Sequence, residues 1–86
     1  MQGKKLKFQN ALAKFIKKYR ENSHLSMTKT SDEIGLTKSI WSNVEAGRRD
    51  PQLTTIWRMA EALNVPLSQI ITELETTLGK DFFLEN

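Results

Sequence analysis

Eighty-six residues with no cysteine make one small domain with a limited core, no disulfide framework and no thiolate zinc site. The basic start MQGKKLKFQNALAKF has no continuous apolar centre, and no apolar run approaches the roughly 20 residues of a membrane span, so a soluble domain of the reducing cytoplasm is expected. The net charge of +3 is uneven: residues 1–58 hold 12 Lys/Arg against 5 Asp/Glu (+7), whereas residues 59–86 hold one against five (−4). That field suits an end that meets a polyanion, although solvated lysine-rich helices give the same count.

Apolar positions recur at helical spacing throughout, with no strand-like alternation and no repeat, so the chain reads as an all-α globule of five helices. Phe8, Leu12, Phe15, Ile16 and Tyr19 form the stripe of a first helix, about Lys4 to Asn22. Six lysines occupy its other faces, and the polar Asn22-Ser23-His24 closes it. Ser26 is a suitable N-cap for a second helix, about Met27 to Ile34, whose interior TKTSDEI is poorly apolar. Gly35 ends it, since glycine takes the left-handed conformation without penalty. Thr37 caps a third helix, Lys38 to about Ala46, which Gly47 ends; a loop runs on to Pro51. Leu53, Ile56, Met59, Ala60 and Leu63 mark a fourth helix. Pro66 begins a fifth, whose stripe of Leu67, Ile70, Ile71, Leu74 and Leu78 reaches Gly79. The domain is expected to span residues 1–78, with 79–86 as a tail.

On a helical wheel turning about 100° per residue, Thr37, Val44 and Glu45 share the side of Trp41, with Ile40 on the flank. Ser39, Ser42, Asn43 and Ala46 point the opposite way, with Lys38 at the border. A short helix, a tight glycine turn and a second helix with a small polar face are the layout of a helix-turn-helix. The major groove, about 12 Å wide, admits such a helix, and Ser, Asn and Lys present donors and acceptors to base edges. The same face also suits plain solvation.

Glu45 sharpens the choice. A carboxylate facing the core needs a partner. Arg20, one turn after Ile16, is the natural one, and a partly buried ion pair between them would tie the first helix to the end of the third. The other course open to Glu45 is to fray into water.

Together these positions resemble the Cro/C1-type (Xre-like) helix-turn-helix family of phage repressors and small bacterial transcription regulators. The matching anchors are Arg20, Leu25-Ser26, Gly35, Trp41, Val44-Glu45, Gly47, Arg48-Arg49, Pro51, Leu53, Ile56, Ala60, Ala62-Leu63 and Val65, within about Leu12 to Ile71. The resemblance implies a compact five-helix bundle of the lambda-repressor-like DNA-binding type. It implies that the third helix reads bases through Lys38, Ser39, Ser42 and Asn43. It further implies phosphate contacts from Thr37, Arg48, Arg49 and the Met27 backbone, with Arg20–Glu45 structural. Lys38 can bond guanine O6/N7 and Asn43 adenine N6/N7, while Ile40 either packs or touches a thymine methyl. Two positions depart from the family pattern. Met27 stands where a phosphate-binding Gln is usual, and Thr30-Ser31 replaces Leu-Ala, thinning the expected contact between the two helices of the motif.

Phe82 and Phe83 in the acidic tail, with Leu74, Leu78 and Trp57, suggest a homodimer interface. The alternative is a tail folded back over its own core. The expected function is a DNA-binding repressor acting as a dimer on palindromic duplex DNA; the alternative is an antitoxin or anti-repressor acting through a protein partner. His24 is the single histidine and lies in a loop, and Asp32-Glu33 and Glu73-Glu75 read as solvated faces. No enzyme, cofactor or metal is therefore expected.

Overall fold

The computed structural model describes residues 2–85 as five helices: α1 (Gln2–Asn22), α2 (Met27–Glu33), α3 (Lys38–Glu45), α4 (Leu53–Ala62) and α5 (Leu67–Leu78). Pro66 stands at the N-cap of α5, one residue before the helix. At ~1.5 Å per residue, α1 is roughly 30 Å long, most of the 38 Å longest dimension. It packs against α3 on one side and α5 on another, while α2 meets α3 and α4, and α4 meets α5.

The α1 stripe supplies Leu12 and Ile16, both essentially fully buried, with Phe8, Phe15 and Tyr19 partly covered around them. Ala11 and Ala13 are buried as well. Trp41 and Val44 from α3, Ile56 and Met59 from α4, and Ile70 and Leu74 from α5 complete one continuous core. Leu74, expected at a subunit interface, is only 3% exposed and belongs to this core, because its place in the α5 stripe aims it inward. Leu53 departs in the other direction. It is 59% exposed, because Pro51 is buried just before α4 while Leu53 and Trp57, four residues apart, share the helix's outer face.

The poorly apolar α2 is buried through its polar residues. Thr30 and Ser31 are both fully covered. The Thr30 hydroxyl donates to the Ser26 carbonyl at 2.8 Å, and the Ser31 hydroxyl to the Met27 carbonyl at 2.7 Å. Each polar group is thus satisfied inside its own helix, so two small side chains can be buried beside Met27, which also packs against the core. The tail turns back partway: the Phe82 amide donates to the Gly79 carbonyl at 3.1 Å, and the ring lies 5.8 Å from the Lys7 ammonium. Phe83 and Leu84 stay exposed, at 55% and 49%.

Candidate nucleic-acid interface

Local chemistry sets both helices of the motif. The Ser26 hydroxyl accepts from the Lys29 amide at 3.0 Å, and the Thr37 hydroxyl accepts from the Ile40 amide at 3.2 Å, capping α2 and α3. Between them Gly35 sits at φ 69, and the Leu36 amide reaches back to the Ser31 carbonyl at 2.9 Å. Arg58 of α4 donates from Nη2 to the Ile34 carbonyl and so pins the turn from outside. Nothing in the sequence pattern marked Arg58, because its partner is a backbone atom 24 residues away.

Behind α3 lies a clasp with three donors on one carboxylate. Arg20 Nε donates to Glu45 Oε2 at 2.5 Å and Nη2 to Oε1 at 2.9 Å. The buried Trp41 indole N–H also donates to Oε2, at 2.5 Å. Arg20 Nη1 closes the arrangement on the Leu25 carbonyl at 2.9 Å. The side chains of Arg20 and Glu45 are 14% and 5% exposed, so water screens this pair poorly. Donating its hydrogen bonds to Glu45 raises the Arg20 pKa, burial works against it, and the carboxylate's charge adds to the rise. One arginine therefore joins the end of α1, the start of α2 and the end of α3. The Trp41 contribution was available from its four-residue spacing to Glu45.

With that side fixed, the opposite side of α3 stays open. Lys38 and Ser39 are exposed, and Ser42 and Asn43 are half-covered. Ile40 is half-buried on the flank. The following loop carries Arg48 and Arg49, both exposed, and Arg48 Nε donates to Asn43 Oδ1 at 3.3 Å. Thr37 is exposed at the helix start, whereas the Met27 side chain packs toward the core. The structure therefore gathers Lys38, Ser39, Ser42, Asn43, Arg48 and Arg49 at α3 and the loop after it.

The first turns of α1 also hold this loop, a feature that α1's stripe did not reveal. Gln9 Nε2 donates to the buried Gly47's carbonyl at 3.2 Å, Asn10 packs where a Cβ on residue 47 would lie, and Lys5 pairs with Asp50 at 3.4 Å. No helix of the described residues is long and apolar enough to cross a membrane.

Comparison with known proteins bears on the family and the fold. Residues 16–70 match the family described as Helix-turn-helix. The HTH-type transcriptional regulator SutR of Escherichia coli (strain K12) is 28% identical over 61 residues, covering 71% of this chain and 34% of its own. The chain thus spans about a third of that relative's length. The ImmF control region 10 kDa protein of Bacillus phage phi105 is 31% identical over 65 residues, covering 74% of this chain and 72% of its own. Among solved structures, an HTH_3 family transcriptional regulator from Vibrio cholerae superposes with a TM-score of 0.76 at 24% identity. The superposition covers 86% of this chain and 42% of that one, a likeness of fold.

Proposed function

This chain belongs to the helix-turn-helix family of DNA-binding transcription regulators, and on that premise we propose that it is a cytoplasmic repressor. It binds a palindromic operator as a dimer, with α3 in the major groove. The observation that carries the reading is the outward face of exposed Lys38 and Ser39 and half-covered Ser42 and Asn43, with Arg48 and Arg49 at its end and the Arg20–Glu45–Trp41 clasp behind it. Lys38 and Asn43 read base edges, with Ser39 and Ser42 beside them. Arg48, Arg49, Thr37 and the Met27 backbone hold phosphates.

One short helix offers few base contacts, so two copies on half-sites about 34–36 Å apart supply the missing specificity. Trp57, Leu78, Phe82 and Phe83 remain available for the subunit contact, of which Trp57 and Phe83 are exposed. The control-region relative from a phage fits a regulator of this size. A second reading, an antitoxin or anti-repressor with a protein partner, rests on the exposed Leu53–Trp57 pair.

Selection of bound duplexes from a random pool tests the proposal. It is expected to return inverted repeats whose half-sites are about one turn apart. Recovery of unrelated sequences, or of single sites only, contradicts it.

A further inference from the structure

Two grooves flank the end of α5, and the tail treats them differently. The first, between Phe8, Leu78 and the tail itself, contains Phe82, Phe83 and Leu84 among its walls. The second runs along the outer side of α1 and has a volume of about 520 Å³. Its apolar floor is Leu6, Ala11, Phe15 and Leu78, and Lys7 and Lys14 stand on its rim beside Lys18, which already pairs with Glu73 at 3.1 Å. Among the described residues no carboxylate and no reading residue lines it, and residues 79–85 of the tail do not enter it; the acid at its edge is Glu73, beside Lys18. Leu6 on this floor is 51% exposed.

The tail has the complementary character. Asp81 and Glu85 bracket Phe82, Phe83 and Leu84, and the last two apolar side chains are about half exposed. Gly79, at φ 90 with open space where a Cβ would be, gives the tail a pivot. From there to Glu85 the chain can extend roughly 23 Å, enough to cross to a neighbour.

We propose that the Asp81–Glu85 segment of one copy docks into the lysine-rimmed α1 groove of a second copy, and that the exchange is reciprocal. This rests on the dimer reading above and supplies its contact: Phe83 and Leu84 cover the apolar floor while Asp81 and Glu85 meet the lysines. A two-fold exchange forms both contacts at once and closes the assembly. An apolar floor under lysines matches such a segment better than it matches a phosphate backbone, which offers nothing to cover Leu6 and Phe15.

Sedimentation velocity on the full chain with paired charge reversals tests this. Lys7→Glu/Lys14→Glu carries a reversed groove, and Asp81→Lys/Glu85→Lys a reversed tail. The wild type is expected to be a dimer, and each variant alone to dissociate at least about tenfold more readily. An equimolar mixture of the two variants is expected to recover a 1:1 dimer, because both groove–tail contacts then match. Phe83→Ser/Leu84→Ser is expected to weaken the dimer about a hundredfold, with no recovery on mixing with either reversal. Thermal melting checks that each variant folds; if a reversal unfolds, Lys14→Gln and Glu85→Gln replace it, each weakening the dimer. Variants that stay dimeric alone, or a mixture that stays monomeric, overturn the exchange while leaving a wild-type dimer intact. A monomeric wild type overturns the dimer reading as well. If the groove reversal weakens binding to a single half-site duplex and leaves assembly unchanged, the groove is a nucleic-acid contact and the proposal fails.

Discussion

Arg20 and Glu45, twenty-five residues apart, face each other through two parallel hydrogen bonds of 2.5 and 2.9 Å, and the Trp41 indole donates to the same carboxylate. Removing Arg20 leaves a carboxylate that is 5% exposed with only the indole. Arg20→Met is therefore expected to destabilise the fold by about 2–4 kcal/mol in urea unfolding. Arg20→Lys is expected to rescue little, because an ammonium cannot reproduce the two-pronged contact and the bond to the Leu25 carbonyl.

The same pair makes a prediction about pH. The arginine's folded pKa is raised above its unfolded value, so its contribution is complete below the ordinary arginine range and is lost only as pH climbs through the raised value. The stability gap between wild type and Arg20→Met is expected to stay flat from neutral pH to about 10. A gap that closes within that interval contradicts the assignment.

The two turn glycines are expected to differ. Gly35 and Gly47 both have φ near +70, which carries a penalty of about 1–2 kcal/mol for an alanine. At Gly35 an added Cβ meets only the tip of the Arg58 side chain, at 3.4 Å. At Gly47 it runs into Asn10 on α1. Gly47→Ala is therefore expected to lower stability more than Gly35→Ala, measured by chemical denaturation, and Asn10→Ala is expected to relieve part of the excess.

Much of this was legible in the sequence, and the gaps share a cause. Helical spacing locates all five elements, since apolar periodicity reports which face is buried. The facing of Glu45 toward the core follows from its register with Trp41. Burial of Thr30 and Ser31 could not be read from polarity, because their hydroxyls are satisfied by carbonyls one turn back. Leu53 and Leu74 were misplaced for a related reason: a stripe shows which face is apolar, and only tertiary packing decides whether a given member is covered by its own chain. The Gln9–Gly47, Asn10–Gly47 and Lys5–Asp50 contacts join segments about forty residues apart, and no local pattern encodes them.

The buried hydroxyls of α2 give a further outcome. Since each donates to a carbonyl of its own helix, Ser31→Ala removes no partner that another group needs. The change is expected to stay within about 0.5 kcal/mol, whereas Ser31→Leu, enlarging a fully covered position, is expected to cost about 2 kcal/mol or more. Thermal unfolding distinguishes the two.

DNA contacts are expected to separate into two kinds. Arg48→Ala and Arg49→Ala are each expected to weaken binding on every duplex and to reduce the salt slope by about 1. Arg48→Ala is expected to do slightly more, because Arg48 also donates to Asn43 Oδ1 and steadies the amide. Titration by fluorescence anisotropy at several salt concentrations reads both effects.

The most direct measurement is a cycle that pairs Asn43→Ala with single base-pair changes across the selected half-site. If the outer face of α3 reads bases, Asn43→Ala removes about 1–3 kcal/mol of discrimination at one base pair and leaves the other positions within about 0.5 kcal/mol of their wild-type values. An equal loss on every duplex, including random sequence, contradicts the placement of α3 as the reading helix.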